Sequence, residues 1–248
     1  MVHARPLALH AITLAALCPR RVWRRGQPRT ATARGGRAGG GGSWSRQNGQ
    51  EPTIDDYTRA SFLDAVTRRV EGTRTLLPPP SWSNHFRDAT TAAWRTEPRR
   101  FQTNPGWNTL VPGSAEGPAV IANLNTLLAL AGTPYFPPMK GVVLVIEQMD
   151  VRLSREERQL RQLEAMGVLD QIRALVVSKP ETYESEGATF SYDELLREVL
   201  GSRRSSPVVT NFDCGHTMPM LTLAQGCQLS VHASEVETRI TVDEPMVS

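Results

Sequence analysis

Three short apolar runs alternate with helical patterns in the second half of the chain, and this alternation constrains the fold most strongly. The runs are Val142–Ile146, Ala174–Ser178 and Pro207–Phe212. Continuous apolar runs of this length, rich in β-branched residues, are typical of strands that are buried on both faces of a sheet. Strands that alternate with helices favour the α/β class. We therefore predict a strand–helix–strand–helix–strand core.

Two sequence signals mark where the helices between these strands begin. Ser154 and Glu157 have the spacing of a capping box, which predicts a helix that runs through Met166. Ser191 and Glu194 have the same spacing and predict a second helix before the last strand. Both helices would connect neighbouring strands of the core.

The flanking segments give four further predictions. Asp55–Val70 has an amphipathic helical pattern, and the proline-rich Leu76–Ser83 is expected to be an extended loop. The apolar segment Ala119–Ala131 is predicted to be a helix. Gln228–Ala233 and Thr238–Val242 alternate in polarity and are expected to pair as an antiparallel hairpin at the end of the domain.

The charge of the chain is divided unevenly between a basic head and a mildly acidic body. Residues 1–50 contain nine arginines, no lysine and no acid, for a charge of +9, and residues 51–248 carry −6. The head is rich in arginine and glycine, with four glycines at Gly39–Gly42, and is expected to be disordered. A mis-set gene start, a targeting segment and a nucleic-acid-binding tail are the alternative interpretations.

Composition also limits the partners and the compartment. Three cysteines, Cys18, Cys214 and Cys227, are too few for a disulfide framework, which favours a cytoplasmic protein. No stretch has the ~20 uninterrupted apolar residues of a membrane span. We therefore expect no membrane partner, and we also expect no nucleic-acid partner.

Chemically active side chains follow two of the predicted strands. Glu147 ends the first run, and His216 lies in the segment Asn211–Thr217 after the last. Open α/β sheets usually place functional groups at the carboxyl ends of their strands. Glu147 and His216 could thus form the acid and base of a Ser-His-Glu triad, with Gly215 allowing a sharp turn. A helix-capping or ion-paired Glu147 and a structural His216 are the alternatives.

Two further interpretations use the cysteines. Asp213, Cys214, His216 and Cys227 could bind zinc, but their spacing suits a tetrahedral site poorly and a complete ligand set is missing. Cys214 could be a nucleophile activated by His216, although residues two apart on a strand are poorly placed to meet. We expect no metal and no cofactor.

Four motifs resemble one enzyme family: Gly117–Thr126, Gly132–Tyr135, Val143–Glu147 and Phe212–Thr217. Their order and separations are similar to those of the C-terminal domain of the LD-carboxypeptidases, serine peptidases that include the microcin C immunity peptidases. The resemblance covers about residues 52–235. It implies a swivelling β/α domain with an antiparallel tail at residues 113–248, preceded by a connecting segment at residues 51–112 that contains one helix.

The resemblance also implies a function. By position, Glu147 matches the triad acid of the family and His216 its triad base. The substrate would be a peptide or amide bond of a murein peptide or a peptidyl-nucleotide. Tryptophan side chains could stack on a nucleotide base or pack in the protein; these are Trp82, Trp94 and Trp107.

The chain departs from the family pattern in three places. The family has its nucleophilic serine in an N-terminal domain, whereas the only serines of the head, Ser43 and Ser45, lie in low-complexity sequence. No Gly-x-Ser-x-Gly elbow occurs, so the nucleophile is unknown. Ile121-Ala122 replaces a glycine pair, and Gln148 stands where a second acid is common.

Two functional hypotheses therefore stand side by side. The chain is a carboxypeptidase-like hydrolase whose serine is supplied elsewhere, or it is a truncated or decayed relative that acts as a non-catalytic binding module. On either hypothesis the chain alone is expected to be inactive. We expect the body to pair with another domain or to form a homodimer, because a missing partner domain would leave apolar surface exposed.

Overall fold

The computed structural model describes residues 55–67, 72–85, 97–201 and 206–243. The basic head lies outside these residues, together with Ser43 and Ser45, and so does Trp94. The prediction that residues 1–50 are disordered therefore stays a prediction.

Within the described residues, eight strands form one mixed sheet and four short strands form two small ribbons. In chain order the strands are β1 (Arg74–Leu76), β2 (Ser81–Trp82), β3 (Gln102–Thr103), β4 (Asn108–Val111), β5 (Gly113–Asn123), β6 (Val143–Glu147), β7 (Asp150–Arg152), β8 (Ala174–Ser178), β9 (Thr182–Glu184), β10 (Val208–Phe212), β11 (Gln228–Ala233) and β12 (Thr238–Val242). The main sheet has the order β1-β12-β11-β5-β6-β8-β10-β4. Its centre, from β5 to β10, is parallel, and the other pairs are antiparallel.

Apolar layers cover both faces of the parallel centre. The helices in the described ranges are α1 (Asp56–Thr67), α2 (Leu124–Ala129), α3 (Leu153–Ala165), α4 (Val168–Gln171) and α5 (Tyr192–Leu200). Because side chains alternate along a strand, Leu144 and Ile146 of β6 pack with leucines of α3 and α5, whereas Val143 and Val145 face the opposite layer. Ala65 of α1 belongs to that second layer. Burial on both faces explains why the run in β6 is continuously apolar.

The structure confirms the α/β class, the three core strands and the antiparallel tail. The hairpin has the predicted bounds, since β11 pairs with β12 from Leu229 to Ala233. The capping box of α5 is also present, because Ser191 accepts from the backbone of Glu194 and the Glu194 side chain accepts from the backbone of Ser191.

The predicted helix at Ala119–Ala131 is wrong in its first half. Residues 113–123 form β5, the longest strand described, and the helix is limited to Leu124–Ala129. The segment lies between β11 and β6, with Ala119 opposite Val143 in the parallel ladder. Pairing with β6 along residues 119–123, pairing with β11 along residues 113–118 and burial on both faces outweigh the helical tendency of the local sequence.

The capping box at Ser154 is also absent. Helix α3 begins at Leu153, and its N-cap residue, Arg152, makes no side-chain cap bond. The backbone N–H of Ser154 instead donates to Glu186 Oε2 at 2.9 Å. A carboxylate distant in sequence thus takes the place of the local cap.

The segment before residue 113 contributes to the main sheet. Strand β1 pairs with β12 and strand β4 pairs with β10, so both lie at edges of the eight-stranded sheet. In the proline-rich segment expected to be a loop, Ser81–Trp82 pairs with β3. The domain division at residue 112 stays a prediction. None of the helices in the described part of the chain has the length and apolar character that a membrane crossing requires.

Candidate active site

The candidate site lies at the edge of the sheet where the parallel strands end. Strand β5 ends at Asn123 and β6 ends at Glu147, and these two residues are partners in the ladder. Strand β10 ends at Phe212, four residues before His216. The carboxyl ends of neighbouring parallel strands share one edge, so the topology brings the three segments together.

The structure brings Glu147 and His216 into direct contact. His216 Nδ1 lies 2.7 Å from Glu147 Oε2, and both side chains are largely buried. With Nδ1–H donated to the carboxylate, a neutral ring has its lone pair on Nε2, the nitrogen that would accept a proton. An acid that orients a general base requires a contact of this kind.

Asn123 holds the second oxygen of the same carboxylate. Its Nδ2 donates to Glu147 Oε1 at 2.9 Å, and its Oδ1 accepts from the backbone N–H of Thr126 at 3.1 Å. The Thr126 hydroxyl also donates to Oδ1, at 3.2 Å. Asn123 is therefore the N-cap of α2 and a ligand of Glu147 at once. Site reasoning from the sequence had not selected it, although an asparagine three residues before a threonine is a readable N-cap signal.

The surroundings of His216 change its titration. Burial by itself lowers the pKa of His216, because it disfavours the charged ring. The hydrogen bond and the charge of Glu147 act in the opposite direction, and the charge of Glu181 adds to them. The net pKa of His216 lies above its ordinary value. The imidazolium that forms during general-base catalysis would be stabilised here.

Glu181 is a second buried acid near this pair, and sequence reasoning missed it. Burial raises the pKa of Glu181, the positive charges of His216 and Arg99 lower it, and the negative charge of Glu147 raises it. The net pKa is raised. Glu181 stands three residues after the end of β8, in the sequence Lys179-Pro180-Glu181. An acid shortly after a predicted strand is the sequence signal that could have identified Glu181.

A buried ion pair supports the segment that leads to His216. Lys179 Nζ lies 2.6 Å from Asp213 Oδ1, with side-chain exposures of 2% and 0%. The ammonium also donates to the carbonyl of Asn211 at 2.6 Å, and Trp107 Nε1 donates to Asp213 Oδ2 at 2.8 Å. Asn211 has a φ of 61°, a left-handed conformation. Trp107 packs against Phe212 with ring centroids 5.0 Å apart, as expected of a core residue.

The structure supports neither of the two cysteine hypotheses. Burial raises the pKa of Cys214 to about 12, with smaller contributions from the charges of Glu147, Cys227 and Asp213. The reactive thiolate is thus strongly disfavoured near neutral pH. The carboxylate of Asp213 is an ion-pair partner of Lys179. Among the described residues, no group of three or more His, Cys, Asp or Glu side chains is arranged to hold a metal ion.

One local sequence argument requires correction, and the place of Ile121 can be added to another. Gly215 is not among the described glycines with positive φ, so the turn before His216 does not depend on glycine's backbone freedom. A Cβ there would lie 3.4 Å from Glu147 Cβ and 3.5 Å from Ser178 Cβ, which is ordinary contact. Ile121, in place of a family glycine, packs into the core, and its N–H donates to Gln225 Oε1 at 2.8 Å.

Comparison with known proteins places this geometry in a family. The model of the LD-carboxypeptidase C-terminal domain matches residues 116–231, which include Glu147 and His216. Residues 116–231 are therefore a C-terminal domain of the LD-carboxypeptidase family. The chain is 30% identical over 194 residues to the microcin C7 self-immunity protein MccF of Escherichia coli, across 78% of this chain and 56% of that protein.

Solved structures agree with the sequence comparison. The structure of wild-type MccF in the apo state superimposes with a TM-score of 0.69 at 30% identity, over 80% of this chain and 58% of that one. An MccF-like protein from Bacillus anthracis str. Ames gives a TM-score of 0.64 at 25% identity, over 79% and 58% of the two chains. This chain therefore spans little more than half the length of the relatives that it matches.

Proposed function

We propose that this chain provides the acid and base of a serine carboxypeptidase-type site that hydrolyses peptide or amide bonds. The observation that carries the proposal is the 2.7 Å contact between His216 Nδ1 and Glu147 Oε2. His216 is the general base, and Glu147 orients the ring. The raised pKa of His216 and the family membership support the same assignment.

In this mechanism His216 Nε2 takes the proton of an attacking serine hydroxyl and later gives it to the leaving amine. Glu147 keeps the proton on Nδ1 and stabilises the imidazolium, while Asn123 holds the other carboxylate oxygen. The serine remains unassigned. Ser178 lies beside the site, but its hydroxyl donates to the carbonyl of Cys214 at 2.5 Å.

The proposed substrate class is a peptidyl-nucleotide or a murein peptide. Solved structures of MccF contain glutamyl sulfamoyl guanosine, aspartyl sulfamoyl adenosine and, in a variant, adenosine monophosphate. An aminoacyl sulfamoyl nucleotide is therefore the probe of choice for this chain. A cytoplasmic location and a homodimer stay predictions of the sequence.

A second candidate function is a binding module without catalysis. It is favoured by Ser178, a serine beside the site whose hydroxyl is donated to the backbone carbonyl of Cys214. Because the chain alone is expected to be inactive on either hypothesis, the two candidates are separated by incubating aspartyl sulfamoyl adenosine with the chain and a separately supplied serine-bearing domain. Hydrolysis that is lost in His216→Ala supports the enzyme, whereas binding without turnover supports the module.

A histidine NMR titration tests the acid–base pair itself. The His216 pKa should fall in Glu147→Gln, because the hydrogen bond and the negative charge that raise it are both weakened or lost. The matched control is Glu157→Gln, which removes an exposed carboxylate from α3 whose ion pair is with Arg161. An unchanged His216 titration in Glu147→Gln would contradict the proposed role of the pair.

A further inference from the structure

A buried polar network lies behind the end of β6, and the proposed mechanism does not use it. Gln148 Nε2 donates to Glu156 Oε2 at 3.1 Å and to Gln159 Oε1 at 2.6 Å. The Tyr192 hydroxyl donates to Glu156 Oε1 at 2.6 Å, and Gln159 Nε2 donates to Asn125 Oδ1 at 3.0 Å. The network thus joins the residue after Glu147 to α2, α3 and α5.

Glu156 is the unusual member of this network. It is 0% exposed, and each of its oxygens accepts one hydrogen bond from a neutral group, Tyr192 or Gln148. Burying a carboxylate costs free energy unless it is paired and hydrogen-bonded, and neutral donors compensate only in part. An apolar side chain at the contact of α3 with α5 and β6 would avoid this cost. Stability alone therefore does not account for an acid at position 156.

The network lies where β6 loses one of its two neighbouring strands. The ladder between β6 and β8 extends to Ile146, whereas the ladder with β5 continues to Glu147. The next residue, Gln148, is held by its side chain instead. It is anchored on α3, and its Oε1 lies 3.5 Å from Asn123 Nδ2, the donor that also binds Glu147.

We propose that Gln148 and Glu156 are positioning residues that fix the end of β6, so that the Glu147 carboxylate faces His216. This inference rests on the proposed function of the pair. The chemistry requires an amide at position 148, because an ionised acid there would oppose the carboxylate of Glu156 and could not donate to it. The glutamine that replaces the common second acid is thus complementary to the buried glutamate on α3.

The test is the His216 titration in Gln148→Leu, which changes no charge and replaces neither partner of the contact between His216 and Glu147. If the network positions Glu147, the His216 pKa falls by at least half of the fall seen in Glu147→Gln. Tyr192→Phe, which removes one donor to Glu156, lowers the His216 pKa by a smaller amount. The control is Gln162→Leu, which makes the same substitution at a glutamine of α3 that is outside the network. It leaves the His216 titration unchanged.

The inference is overturned if the amide spectrum shows that Gln148→Leu is folded and its His216 titrates as in the wild type. This holds even if the variant unfolds at a lower urea concentration. If Gln148→Leu does not fold, Tyr192→Phe decides in the same way. The proposed function fails separately, because only its failure leaves His216 unchanged in Glu147→Gln. A normal fall in Glu147→Gln without one in Gln148→Leu or Tyr192→Phe refutes the positioning role alone.

Discussion

The ion pair of Lys179 and Asp213 gives the sharpest prediction about stability. Lys179→Met removes the ammonium and keeps an unbranched chain of similar length. The variant leaves the Asp213 carboxylate fully buried, with Trp107 Nε1 at 2.8 Å and a longer contact from Asn104 Nδ2 at 3.3 Å. The carboxylate then keeps these two neutral donors and loses the ammonium that lies at 2.6 Å. The variant should therefore be strongly destabilised at neutral pH.

The size of the loss follows from the burial of both partners. Removing one member of a buried pair typically costs about 3–5 kcal/mol, because the remaining charge is uncompensated. The donors left to Asp213 place Lys179→Met near the lower end, at about 3 kcal/mol. Asp213→Asn leaves a buried ammonium and should cost about 3–5 kcal/mol by the same reasoning.

The double variant should recover much of this loss. Burial lowers the pKa of Lys179 more than the charge and hydrogen bond of Asp213 raise it, so the pair does not fully offset its own desolvation. With both charges gone, the amide oxygen of the introduced asparagine can still accept from Trp107. What remains is about one unsatisfied polar group, or about 1–3 kcal/mol.

Urea unfolding at pH 7 of the wild type, both single variants and the double variant completes the cycle. The control is Arg161→Met, which removes a cation that lies 2.9 Å from Glu198 in a pair exposed by 39% and 68%. Exposed pairs contribute little, so its midpoint should stay close to that of the wild type. A double variant whose loss equals the sum of the single losses would refute the argument, as would a Lys179→Met loss no larger than the control's.

Two further predictions use the same unfolding assay. Burial raises the pKa of Glu156, and the hydrogen bonds from Tyr192 and Gln148 lower it by a smaller amount. The contribution of Glu156 to stability is therefore greatest below its unfolded pKa of about 4.3 and is lost as pH rises through the folded pKa. Glu156→Gln should therefore lose less stability than the wild type between pH 4 and pH 8, and equal pH dependence would contradict this. Gly117→Ala should cost about 1–3 kcal/mol, because its Cβ would lie 2.4 Å from the carbonyl oxygen of Gly141. Gly215→Ala meets only ordinary contacts and should cost clearly less.

The sequence predicted those elements whose periodicity is independent of their neighbours. The runs in β6, β8 and β10 are short, apolar and bounded by polar residues, and they are strands in the structure. The alternation in β11 and β12 defines a hairpin without reference to any other element. In each case a local pattern and the global fold agree.

Predictions failed where a distant segment supplied the decisive interaction. Ala119–Asn123 is a strand because it pairs with β6 and continues the segment 113–118 that pairs with β11, and neither partner can be read from residues 119–123. Helix α3 begins without the predicted cap because Glu186 reaches Ser154 from 32 residues away. Tertiary contacts override local propensity in both places.

The candidate site shows the same division. Glu147 and His216 were predictable, because residues that follow parallel strands must lie at one edge of the sheet. Lys179 and Glu181 follow β8 at that same edge, but their burial and charge pairing depend on segments that the sequence does not identify as neighbours. The sequence therefore indicated one acid beside His216, whereas the structure places the charges of two acids there.

The second acid sharpens the titration that tests the proposed function. In order of size, the pKa of His216 is governed by burial, which lowers it, by the hydrogen bond and charge of Glu147, which raise it, and by the smaller raising effect of Glu181. In Glu147→Gln the lowering of the pKa by burial is then opposed mainly by the small raising effect of Glu181. The His216 pKa should consequently fall below the value of about 6.5 of an unperturbed histidine, rather than merely approach it. Adding Glu181→Gln should lower it again. A Glu147→Gln variant in which His216 titrates at the unperturbed value would mean that water enters the site and that burial does not govern the histidine.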